Sequence, residues 1–125
     1  MRPKTATLTE QELEIMKVVW EREETTVRDV YESLLEHRKI AYTTVMTMMK
    51  ILEQKGHLVK QPADDRAFIY KPSQPKQQVL QGMVREFINR VFNGAAEPLL
   101  VHLIEDKHLS AADLAEITKM VRRKK

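Results

Sequence analysis

Between Thr9 and Gly56 apolar residues return every three or four positions in three separate runs, the period of helices that turn one face inward. Leu13, Met16, Val19 and Trp20 form the first run. It opens with Thr9 and, three residues on, Glu12, a pairing in which each side chain satisfies an amide at a helix start. This predicts a helix over 10–22. Thr26 with Asp29 repeats the signal before Val27, Val30, Tyr31, Leu34 and Leu35, and predicts a second helix to about His37. Residues 38–41 lack a period and read as a turn. Val45, Met48, Met49 and Leu52 then predict a third helix from Tyr42, ended by Gly56.

Past Gly56 the period shortens. Leu58–Gln61 and Ala67–Tyr70 are strand-like runs around a segment, 62–66, with turn chemistry, which predicts a β-hairpin with Arg66 at its tip. Pro72-Ser73-Gln74-Pro75 interrupts both patterns and reads as a hinge. Leu80, Met83, Val84, Phe87, Ile88 and Val91 then make a wide apolar face on a fourth helix that stops at Asn93-Gly94. Leu99, Leu100, Leu103 and Ile104 mark a fifth after Pro98, and Leu114, Ile117, Met120 and Val121 a sixth opened by Ser110 and Asp113. The basic end, 122–125, reads as a solvated tail. The fold class expected is mainly α with a small β-hairpin wing: a winged helix-turn-helix in 1–72 and a three-helix dimerisation region in 73–125. A second copy is expected to cover Phe87, Val91, Leu99, Leu100, Leu103, Leu114, Ile117 and Val121.

Composition narrows the chemistry. The 125 residues include no cysteine, which removes disulfides, thiolate nucleophiles and cysteine-held metals and fits a reducing cytoplasm. No apolar run is long enough to span a membrane, the first residues hold no apolar leader core, and three glycines form no phosphate-binding loop. No cofactor is expected. His37, His57, His102 and His108 lack the i, i+4 spacing of a metal-binding helix face, and the seven methionines fall mostly on core stripes. The acidic pairs Glu12/Glu14 and Asp64/Asp65 are better explained by a helix start and a turn than by acid–base chemistry, so no catalytic residue is assigned. The net charge of +3 is unevenly spread: residues 10–36 carry −6 and residues 37–72 carry +4. Positive charge gathers around the third helix and the hairpin, where a phosphate-facing element needs it.

The polar side of the third helix is unusual. Thr43, Thr44 and Thr47 crowd its first turns, although threonine lowers helix propensity and gains nothing on a plain solvent face. In a DNA major groove its hydroxyl donates or accepts and its methyl meets the thymine C5-methyl. Thr43, Thr44, Thr47 and Lys50 are therefore expected to contact bases. Lys39, Tyr42, Lys60 and Arg66, with Arg38 beside them, are expected to hold the DNA backbone. The alternative is a winged-helix protein-interaction module that docks a protein on the same face without binding DNA.

Leu8-Thr9, Glu12-Leu13-Glu14-Ile15-Met16, Trp20, Tyr42-Thr43-Thr44-Val45-Met46-Thr47, Leu52-Glu53-Gln54-Lys55-Gly56, Arg66 and Tyr70 together resemble the penicillinase-repressor family (BlaI/MecI/CopY type) of bacterial transcriptional regulators. Phe87-Ile88, Val91-Phe92-Asn93-Gly94, Leu99 to Leu103 and Leu109-Ser110 resemble its dimerisation region. The resemblance implies a homodimeric repressor on an inverted-repeat, double-stranded DNA operator. It also implies, for beta-lactam-responsive members, release through a membrane sensor protease system that leads to cleavage in the dimerisation region. The matching bond is His102–Leu103, where those members carry Asn then Phe. Copper-responsive members carry a cysteine cluster that this chain lacks.

Overall fold

The computed structural model describes residues 8–63 and 67–124, the last three as backbone only. Arg66, expected at the hairpin tip, lies outside the described residues. The element order is α1 (Glu10–Arg22), α2 (Val27–Leu35), α3 (Tyr42–Gln54), β1 (Leu58–Pro62), β2 (Phe68–Pro72), α4 (Lys76–Phe92), α5 (Glu97–Glu105) and α6 (Ala111–Lys124). The chain forms two compact units, one ending at Met83 and one beginning at Val84.

In the first unit the three helical stripes meet. Ile15, Met16 and Val19 of α1, Val30 and Leu34 of α2, and Val45, Met49 and Leu52 of α3 are almost fully buried around one centre, closed from the side by Leu58 and Tyr70 of the hairpin. Both capping boxes form: the Thr9 hydroxyl accepts from the Glu12 amide at 3.1 Å and the Thr26 hydroxyl from the Asp29 amide at 3.1 Å. Gly56 stops α3 because the chain must turn left-handed there (φ 89°), which leaves the His57 amide to donate to the Leu52 carbonyl at 2.9 Å and the Gly56 amide to Glu53 at 3.0 Å. β1 and β2 pair antiparallel with Lys60 opposite Tyr70.

Two features escape the sequence pattern. Thr25 makes a one-residue bridge to Tyr70, donating and accepting at 3.0 and 2.7 Å, so the wing is anchored to the start of α2. Segment 72–75, expected as a hinge, is pinned: the Ser73 amide donates to His57 at 3.0 Å and its hydroxyl to the Gly56 carbonyl. The first turns of α4 follow it onto the winged core, with Val79 buried and Met83 packed against the same cluster.

The second unit is built differently. Among the described residues from 84 to 121 none is buried. Phe87 meets Phe92 edge-on at 5.9 Å between ring centres, but Val84, Val91, Val101, Ile117, Met120 and Val121 stay exposed. Three helices with apolar stripes and no interior have little to offset the entropy of ordering them.

Candidate nucleic-acid interface

α3 carries its stripe inward and a second stripe outward. Thr43, Met46, Thr47, Lys50, Ile51 and Gln54, at i, i+3, i+4, i+7, i+8 and i+11, are all exposed, and Thr44 is exposed beside them. The four side chains expected at bases therefore lie on one open flank of one helix. Met46 and Ile51 stand in the same stripe, and polarity alone did not pick them out; their signal was position, since an apolar residue off the core period needs its own reason.

Lys39 is exposed in the turn ahead of α3. Tyr42 is half-buried: its ring meets that of Tyr31 nearly at right angles, 5.3 Å between centres, and the Arg28 guanidinium lies 5.4 Å from its centre. Arg28 was not anticipated from the sequence. It stands in the first turn of α2, its side chain 65% exposed, with only a 3.5 Å surface pair to Glu32. Lys60 rises from β1 with its ammonium 4.4 Å from the Phe68 ring centre. Between these cations runs a groove whose walls are α3 and the hairpin, with Val27, Met46, Phe68 and Tyr70 among its apolar lining and Arg28, Lys50 and Lys60 along it.

Arg38 has a partner on α1. Its guanidinium donates three charge-assisted bonds to the Glu14 carboxylate, at 2.8, 3.2 and 3.4 Å, and that partner raises its pKa further. The pair links α1 to the α2–α3 junction with the Arg38 side chain 36% exposed, so Arg38 helps to position the entry to α3. Lys55 is likewise taken. It donates to both oxygens of buried Glu12 at 2.8 and 3.0 Å, tying the end of α3 to the start of α1. Two of the basic residues that raise the charge of segment 37–72 are thus spent inside the fold, and α1 holds α3 at both ends.

The entry of α3 is open. Its N-cap is Ala41, with no side-chain cap, whereas α1 and α2 each carry a full capping box. The Tyr42 and Thr43 amides therefore have no side-chain cap, and the positive end of the helix dipole follows directly on exposed Lys39 in the chain. Among the described residues no cluster of histidine and carboxylate groups fits a metal ion, and no helix is long and apolar enough to cross a membrane.

The predicted dimer contacts divide by exposure. Phe87, Val91, Leu100, Ile117 and Val121 are exposed, while Leu99, Leu103 and Leu114 are half-buried within the second unit. His102 and Leu103 lie inside α5, and their carbonyls accept from the Asp106 and His108 amides at 2.9 and 2.8 Å.

Known proteins share this arrangement. A regulator named transcriptional regulator BlaI from Mycobacterium tuberculosis is 38% identical over 112 residues, covering 88% of this chain and 80% of that protein. The penicillinase repressor of Bacillus licheniformis is 25% identical over 114 residues, covering 91% and 88%. The solution structure of the monomeric form of Bacillus licheniformis BlaI in complex with the blaP half-operator superposes with a TM-score of 0.51 at 28% identity, over 59% of this chain and 89% of that one. The profile of the penicillinase repressor family matches residues 8–123. With that profile spanning both compact units and the solved relative sharing the winged helix, the chain belongs to the penicillinase repressor family, whose members are DNA-binding transcriptional repressors and not enzymes.

Proposed function

We propose that this repressor acts in the cytoplasm as a homodimer that seats one α3 in each half of a two-fold related operator. The observation that carries the reading is the outward stripe of α3: short hydroxyls and one unpaired ammonium on an open flank, with cations on the groove beside it. Thr43, Thr44, Thr47 and Lys50 read base edges; Lys39, Tyr42, Lys60 and Arg66 hold the backbone, joined by Arg28. The winged domain, 1–72, supplies these groups. Region 73–125 supplies the dimer through the exposed apolar side chains of α4, α5 and α6, although the first turns of α4 also pack on the winged core. Half-sites are then about one helical turn apart, or a multiple of it.

Lys50→Ala and Arg28→Ala separate base reading from backbone holding. Lys50→Ala costs on the order of 1–3 kcal/mol on the preferred duplex and flattens the preference at one base pair, with little change on scrambled DNA. Arg28→Ala weakens both duplexes by a similar factor and lowers the slope of affinity against salt by about one ion. Titrations of both duplexes over a range of salt concentrations provide the readout. Equal losses on both duplexes for Lys50→Ala contradict the assignment of base reading.

Release by cleavage at His102–Leu103 requires α5 to open first, because the His102 carbonyl is held in a helical hydrogen bond and the Leu103 carbonyl in a bond that closes the helix end, and a protease binds its substrate extended. We propose that a membrane sensor protease system reaches the bond only when α5 is unwound.

A further inference from the structure

Met46 is an exposed apolar group on α3 that the hydroxyl-and-ammonium account leaves unused and, unlike Ile51, it lines the groove beside the hairpin. It is 47% exposed on a face whose neighbours are Thr43, Thr47 and Lys50, and it lines the groove between α3 and the hairpin with Phe68. A long apolar side chain held out in water is a standing cost unless a partner covers it. The core does not use it: the inward stripe of α3 is complete in Val45, Met49 and Leu52 without it. Charge complementarity identifies the occupant. Arg28, Lys50 and Lys60 stand around this groove, which suits a polyanion that offers an apolar patch between its phosphates. In duplex DNA the apolar group on a major-groove base edge is the thymine C5-methyl, and unbranched, polarisable methionine adapts to such a small knob.

We infer that Met46 is a specificity-determining residue that selects thymine at one position of each half-site by covering its C5-methyl. This rests on the operator-binding reading above. Thr43 and Lys50, about one turn either way along the face, and Thr47 next to Met46 then fix the neighbouring edges by hydrogen bonds, while Met46 contributes an apolar term that no hydrogen bond supplies.

The test uses the full chain and a duplex it enriches from a random pool. Each half-site thymine is replaced in turn by deoxyuridine, which removes the methyl and leaves the pairing edge intact. For the native protein one replacement raises Kd about fourfold, the ratio that about 0.8 kcal/mol of lost methyl burial corresponds to. Met46→Ala binds the thymine duplex more weakly and is indifferent to the same replacement. Met46→Leu restores the discrimination in part. Because Met46 is exposed, thermal unfolding of both variants stays close to native, which separates contact loss from misfolding. If the deoxyuridine penalty is the same in the native protein and in Met46→Ala, or no thymine is sensitive, the inference is overturned and operator binding stands. A pool that yields no preferred duplex overturns the operator reading, and this inference with it.

Discussion

Ending the chain after Met83 lowers operator affinity by about 10²–10⁴-fold while the winged unit stays folded. The winged core is complete without the second unit: its buried residues run from Leu8 to Val79, and Met83 is the last side chain packed on it. Past that point no described side chain is buried, yet Phe87, Val91, Leu100, Ile117 and Val121 display a large apolar surface on three helices. In a homodimer those faces cover each other. Binding at the second half-site then becomes intramolecular, and the gain from such linkage is of the order just given. Sedimentation of the intact and shortened chains, with titrations on full and half operators, measures the effect. The shortened chain should sediment as a monomer and bind full and half sites alike. An intact chain that is monomeric at micromolar concentration, or a shortened chain that binds the full site undiminished, contradicts the account.

Glu12→Ala is expected to destabilise the winged unit by about 3 kcal/mol, and Glu12→Gln by less. Glu12 is 5% exposed and its carboxylate serves two groups at once: it accepts from the Thr9 amide at 3.0 Å and from the Lys55 ammonium at 2.8 and 3.0 Å. Alanine removes the cap and orphans Lys55 at the end of α3. Burial pushes the Glu12 carboxyl up, but the bonds from Lys55 and Thr9 outweigh it and hold the pKa below its ordinary 4.5. A group depressed in the folded state stabilises at pH above its unfolded value, and that part is lost as pH falls through the folded value. The gap between native protein and Glu12→Gln should therefore be full above about pH 4.5 and close below it. Denaturant unfolding at several pH values provides the readout, and a gap that does not change with pH contradicts the ion pair's role. Because Lys55 closes α3, the helix proposed to enter the major groove, Glu12→Gln should also weaken operator binding at neutral pH.

Much of this architecture is written in local pattern. Capping boxes at Thr9 and Thr26, the stripe Val45, Met49, Leu52 and the turn at Gly56 depend on residues a few positions apart, and the helices they predict fall within a residue or two of those observed. What pattern did not reveal is pairing over distance. Arg38 and Lys55 looked like free cations because nothing local marks Glu14, 24 residues away, or Glu12, 43 away, as their partners. Thr25 gives no strand signal, since a single residue in a bridge has no period. Arg28 and Met46 were passed over because each fits an ordinary helix surface. Only the cations and apolar groups gathered from α2, α3 and the hairpin make the groove visible.

The central claim is that the outward flank of α3 lies in the major groove of duplex DNA, and the absence of cysteine makes a direct measurement possible. Thr47→Cys carries one thiol on that flank and Glu21→Cys one on exposed α1 as a control. Each is equilibrated with an enriched duplex bearing, on a tether to a base in the major groove, a mixed disulfide with a small thiol that the protein thiolate displaces. The account predicts a disulfide cross-link from Thr47→Cys, lost when the tether is moved outside the half-site, and none from Glu21→Cys. Equal cross-linking from both, or from Glu21→Cys alone, contradicts it.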